Sequence, residues 1–104
     1  MPVYTLPASE KSHGRTPGLR RAGDMAELAE EREHLAKADR DIVAGESRVS
    51  AQMRLLTRLD RHGRDTSQAE LLLANLRETL AAWRVHRNEI LRKIVRLERR
   101  RFRD

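Results

Sequence analysis

Leu28, Leu35, Ile42, Val49 and Leu56 follow one another at intervals of seven, and Glu31, Ala38, Gly45, Gln52 and Leu59 fall between them. Residues recurring by three and four lie on one face of a helix with 3.6 residues per turn, so the pattern predicts a long amphipathic helix over residues 24–62. A second series runs Ala69, Leu73, Leu76, Leu80, Trp83, Arg87, Ile90, Ile94, Leu97 and Arg101, again stepping by four and three. It predicts a helix over residues 66–103. Each helix would hold about 38 residues and extend roughly 57 Å at 1.5 Å per residue. With a turn at residues 63–65, the predicted fold is all-α: a long, coiled-coil-like antiparallel two-helix hairpin.

The connecting stretch LDRHGRDTSQAE supplies the chemistry that a stop and a restart require. Gly63 suits the left-handed position that ends a helix, and His62 stands where the last carbonyls want a donor. Asp65 or Thr66 offers a side-chain oxygen to the first free N–H groups of the second helix. Ser67 with Glu70, and Asp65 with Gln68, both have capping-box spacing. At the other end, Asp24 is the expected N-cap of the first helix. The first 23 residues hold all three prolines and three of the five glycines, and show no hydrophobic period. They are expected to form a flexible basic tail.

Folding the chain about Gly63 fixes which seam residues meet. Leu56 then faces Leu73, Gln52 faces Leu76, Gly45 faces Trp83, Ala38 faces Ile90 and Leu35 faces Ile94. Glycine inside a helix costs roughly 0.5–1 kcal/mol relative to alanine, and room for the Trp83 indole is the compensating reason at Gly45. Arg87 is the charge deepest in the seam, with Asp39 and Glu46 expected beside it, and such a residue serves to fix register. The same folding sets Glu27, Glu30, Glu31 and Glu33 against Arg96, Arg99, Arg100, Arg101 and Arg103.

Within residues 35–92, the stretches ADRDIVAGESRV and GRDTSQAELLLANLRETLAAWRVHRNEIL resemble short uncharacterised alpha-helical hairpin proteins of alphaproteobacteria. That group carries a similar Gly-x-Asp-Thr turn, a Leu-rich second helix and a His-Arg pair ahead of an Ile-Leu. The resemblance implies a helical hairpin in a bacterial cytoplasm and carries no activity with it. The proline-containing tail and the final arginine run fall outside it.

Composition narrows the function classes. Of 104 residues only 38% are hydrophobic and three are aromatic, so a large enclosed core is not expected, whereas 37% are charged. No cysteine is present, which excludes disulfides and Cys-based zinc sites and fits a reducing compartment. No apolar run approaches the roughly 20 residues of a membrane span, and a soluble, cytoplasmic protein is expected. The net charge of +6 sits at the ends: residues 1–23 carry +3, and residues 92–104 hold seven bases against two acids. Nineteen of the 22 bases are arginine, a preference that suits phosphate recognition and equally follows from a GC-rich coding sequence.

His62, Asp65 and Ser67 are the residue types of a catalytic triad, but a hairpin tip provides no pocket, no exclusion of water and no oxyanion hole. The remaining histidines, His13, His34 and His86, show no metal-ligand spacing, and no glycine-rich phosphate loop is present. The chain is therefore expected to be non-enzymatic, without cofactor, metal or small-molecule substrate.

Partners are another matter. A second apolar line, Val43, Met53 and Leu55 on the first helix and Leu72, Val85, Leu91, Val95 and Phe102 on the second, would be left bare by a two-helix hairpin. A homodimer forming a four-helix bundle would cover it, and an unidentified protein partner is the other expected occupant. The alternative function is a small basic regulator binding RNA or DNA through Arg92, Lys93, Arg96, Arg99, Arg100, Arg101 and Arg103, with Phe102 available for stacking. A membrane-surface role is weaker, because the apolar face is already committed to the seam.

Overall fold

The computed structural model describes the backbone of residues 17–103 and the side chains of residues 22–101. Two helices, α1 (Pro17–Arg61) and α2 (Ser67–Arg103), pack antiparallel on each other and account for the whole of the described fold apart from the turn. At 1.5 Å per residue they extend roughly 67 and 55 Å.

The start of α1 differs from expectation. It lies at Pro17 rather than Asp24, so the last seven residues of the predicted tail are helical; residues 1–16 lie outside the described residues. Proline is well placed at a helix start, where its fixed φ is already helical and its missing N–H has no partner to lose. Asp24 is consequently not a cap. Its side chain is only 13% exposed, and its carboxylate accepts a hydrogen bond from Arg100 Nη1 at 3.2 Å, tying the two helix ends together.

α1 ends in a Schellman motif. Gly63 has a φ of 63°, its N–H donates to the Asp60 carbonyl at 3.0 Å, and the Arg64 N–H reaches back to the Leu59 carbonyl at 2.8 Å. Two carbonyls left over by the helix are thereby satisfied. The break from regular helix covers residues 62–66, slightly wider than the predicted 63–65, and α2 begins at Ser67.

The seam follows the heptads. Leu28, Ala38, Ile42, Ala69, Leu73, Leu80, Ile90, Ile94 and Leu97 are buried, while Leu35, Val49, Leu56, Leu59, Leu76 and Trp83 are half-buried. The tightest cluster lies away from the turn, where Leu28, Ala38, Ile90, Ile94 and Leu97 pack together with Leu35 against them. Arg101, predicted as the last seam position, is exposed, and the seam closes at Leu97. One helix can bury only one stripe against one neighbour, so the outward apolar side chains remain in solvent. Val43 is 64% exposed, Val85 59% and Leu71 58%.

Candidate interaction surfaces

At the turn, the apparent triad does not assemble, because His62 bonds to neither Asp65 nor Ser67. His62 Nδ1–H donates to the Arg58 carbonyl at 2.7 Å, an exposed helix-end contact. Asp65 Oδ1 accepts from the Ser67 N–H at 3.0 Å and from the Ser67 hydroxyl at 2.7 Å. These bonds, the hydroxyl's first, hold the Asp65 carboxyl below its ordinary value, because they favour the charged form. The Thr66 carbonyl accepts the first helical bond of α2 from the Glu70 N–H, and the Thr66 hydroxyl donates to Glu70 Oε2 at 2.6 Å. Base and nucleophile are thus turned toward different neighbours, and Asp65 and Thr66 divide between them the capping role predicted for either one.

Farther along, charged side chains bridge the helices. Arg32 meets Glu98 at 2.9 Å and Arg84 meets Glu46 at 2.8 Å, while Arg87 Nε donates to Asp39. Glu46, expected beside Arg87, is instead paired with Arg84, one turn away. A single carboxylate, Asp39, answers the seam arginine. Gln52 is buried and donates from Nε2 to the Ala69 carbonyl at 3.0 Å, so it reaches toward the turn instead of resting on Leu76 alone.

Lys93 lies 3.2 Å from Glu27 and 3.3 Å from Glu31, and His34 Nδ1 lies 3.4 Å from the same Glu31 carboxylate. Glu31 sits in the seam with its side chain 9% exposed. Burial alone would push its carboxyl up; the hydrogen bonds from Lys93 and His34 outweigh burial and hold it below the ordinary value. Lys93 is pushed up in turn, chiefly by its bond to Glu27 and then by Glu31. Heptad spacing alone marked Glu31 as a polar seam residue; what it could not show was that a lysine flanking the opposite seam would reach it.

These pairs divide the predicted basic cluster. Lys93 and Arg100 are engaged inside the chain. Arg92, Arg96, Arg99 and Arg101 are exposed and make no ion pair among the described residues, and the side chain of Arg103 lies outside them. Arg92, Arg96 and Arg99 line an open groove of about 370 Å³ whose floor is Leu91 and Val95. Their spacing of four and three sets them along one side of α2.

The second apolar line divides as well. Val43, Met53, Leu72, Val85 and Val95 are exposed, Leu55 and Leu91 are half-buried, and Phe102 has no described side chain. Beside the turn, Leu55, Leu59, Leu71 and Leu72 wall a shallow groove of about 580 Å³, with Gln52 and Ala69 at its base. Leu71 and Met25, both more than half exposed, are outward apolar residues that the heptad series passes over. Among the described residues no group of three or more His, Asp or Glu side chains could hold a metal ion, and no helix is long and apolar enough to cross a membrane.

No protein family model, curated protein or solved structure matches the chain.

Proposed function

We propose that this chain is a non-enzymatic helical interaction protein that self-associates through its outer helix faces and works in the cytoplasm, with a further protein as its partner. The observation that carries this reading is the outward exposure of large apolar side chains on both helices, Val43, Met53, Leu72, Val85 and Val95 among them. Among the described residues a hairpin only two helices thick has no other layer to bury them, and self-association on one side with the further protein on another would remove them from water at about 25 cal/mol per Å². The hydrogen-bonded state of His62 and Ser67, each with a structural partner, supports a role without catalysis. Light scattering over a concentration series tests the reading. A dimer mass is expected, and a monomer at high concentration would remove self-association.

One observation favours a second reading, binding to RNA or DNA. Arg92, Arg96 and Arg99 stand in a row with no carboxylate among the described residues neutralising them, around an apolar floor that a base or sugar could contact. Phosphate contacts release counterions, so affinity for mixed RNA or DNA should fall steeply with salt, and each arginine removed should flatten the slope by about one. Absence of binding at low salt would dispose of it.

A further inference from the structure

The two broad sides of the hairpin are unlike. On one, Arg32 with Glu98, Asp39 with Arg87 and Glu46 with Arg84 close over the seam. On the other, Lys93 closes over it with Glu27 and Glu31. Next outward on the first side lies a row of heptad spacing, every seventh residue from Ala22 to Thr57 on α1 and from Ser67 to Val95 on α2, in which no residue is charged. In a chain that is 37% charged, every other outward row carries charge on both helices. The row's position follows from helix geometry. Val43 is four residues past Asp39 and three before Glu46, and Val95 stands likewise between Leu91 and Glu98, so both share a face with the ion pairs. Val43 and Val95 are exposed, and the exposed Met25 and Met53 lie beside the row.

We infer that this side packs against the same side of a second copy about a two-fold axis running along the length of the hairpin, so that α1 of each copy lies over α2 of the other. The inference rests on the self-association proposed above and adds its face and its axis. Charge selects the axis. Residues 22–46 of α1 hold eight acids against three bases, and residues 80–101 of α2 hold eight bases against two acids. An axis along the hairpin sets these halves across from each other, twice. It also stacks the Arg32–Glu98 pair on the second copy's Glu98 and Arg32, giving a square of four charges with alternating signs, and does the same for Glu46 and Arg84. A two-fold across the hairpin's midpoint, near Val43, would lay α1 on α1 and bring Glu46 over the second copy's Asp39, like on like. The chosen axis sets like charges across from each other at the solvated tip, where Asp60 and Glu70 of both copies form a square of carboxylates, and brings Arg77 toward the second copy's Arg77 with the Met53 side chains between them.

The cysteine-free chain makes the test direct. Met25 and Met53 are 28 residues apart, about 42 Å along α1 at 1.5 Å per residue. An axis along the hairpin brings each next to its own counterpart, whereas any two-fold across the hairpin can do so for one at most. Met25→Cys and Met53→Cys, made singly and treated with a short bifunctional maleimide, should both give covalent dimers. Val85→Cys, exposed on α2 away from this side, should not. Asp60→Asn should tighten the dimer several-fold by relieving the tip. Crosslinking at one methionine only, or an unchanged Kd for Asp60→Asn, would overturn the axis. A scattering-confirmed dimer that crosslinks at neither methionine, or equally well at Val85→Cys, would overturn the face and leave self-association standing. A monomer by scattering would overturn both.

Discussion

Trp83 lies across Gly45. A β-carbon built on that glycine would stand 3.3 Å from the indole Cζ3 and 3.1 Å from Leu80 Cδ1, closer than side chains normally pack. The largest side chain of the seam has therefore taken the space the smallest leaves, and the juxtaposition sets the register of both helices. Gly45→Leu should destabilise the hairpin by about 1–3 kcal/mol through overpacking. Gly45→Ala should be near neutral, since the gain of up to about 1 kcal/mol in helix propensity is set against a displacement of a few tenths of an ångström in Leu80 and Trp83. Thermal melts followed by circular dichroism give the order. Adding Trp83→Leu to Gly45→Leu should recover part of the loss, and strictly additive effects would show that the two residues do not share one space.

Gly63 is held at a φ of 63°, and a β-carbon there would meet nothing within 4 Å. Its substitution is thus a test of backbone conformation alone. Gly63→Ala should cost about 1–2 kcal/mol, the usual penalty of a left-handed L-residue. Gly63→Asn should cost less, because asparagine tolerates that region. Equal melting temperatures for the glycine, asparagine and alanine chains would refute the left-handed requirement. Lengthening the turn by one residue should lower the melting temperature more than His62→Ala or Ser67→Ala, since it shifts Trp83 off Gly45.

The hairpin was legible because its signals are local and periodic. Heptad spacing names the seam, and Gly63 with Asp65, Thr66 and Ser67 names the turn. The Gly45–Trp83 juxtaposition followed from counting outward from that turn. Charged partners were less legible, because long side chains reach about one turn in either direction and choose among several carboxylates. Glu46 went to Arg84 rather than Arg87, and Asp24 to Arg100 rather than to a cap. The helix start at Pro17 is not legible for a similar reason. A segment holding Gly18 and Gly23 has weak propensity and no seam residue, so periodicity is silent there.

Gln52 puts an amide into the seam, yet the carbonyl it donates to belongs to Ala69 inside α2 and has a helical partner available in any case. Removing the amide strands no acceptor, and a leucine of similar size would bury more apolar surface. Gln52→Leu should therefore leave the melting temperature equal or raised. A marked fall would mean that the Gln52–Ala69 bond anchors the first turn of α2 and is not merely tolerated. Hydrogen exchange at residues 67–73 would reveal that anchoring as selective loss of protection.

The Glu27–Lys93–Glu31 cluster predicts a pH profile with two limbs. Glu31 has a folded pKa below its unfolded value of about 4.3, so its contribution is complete above that pH and fades as pH falls through the depressed value. Asp65, shifted in the same direction, adds to the same acid limb. Lys93 is raised above about 10.4, so its contribution is complete below that pH and is lost as pH climbs through the raised value. Melting temperature should accordingly hold level across neutral pH and decline on both sides. Lys93→Met tests the cause. It leaves Glu31 in the seam with burial pushing its carboxyl up and only His34 opposing, so the acid limb should move to higher pH and overall stability should fall. Pairing it with Glu31→Leu should restore stability at neutral pH, because an apolar pair of similar volume needs no desolvation of charge. If Lys93→Met left the acid limb where it stands in the parent chain, Lys93 would not be the group that keeps Glu31 ionised.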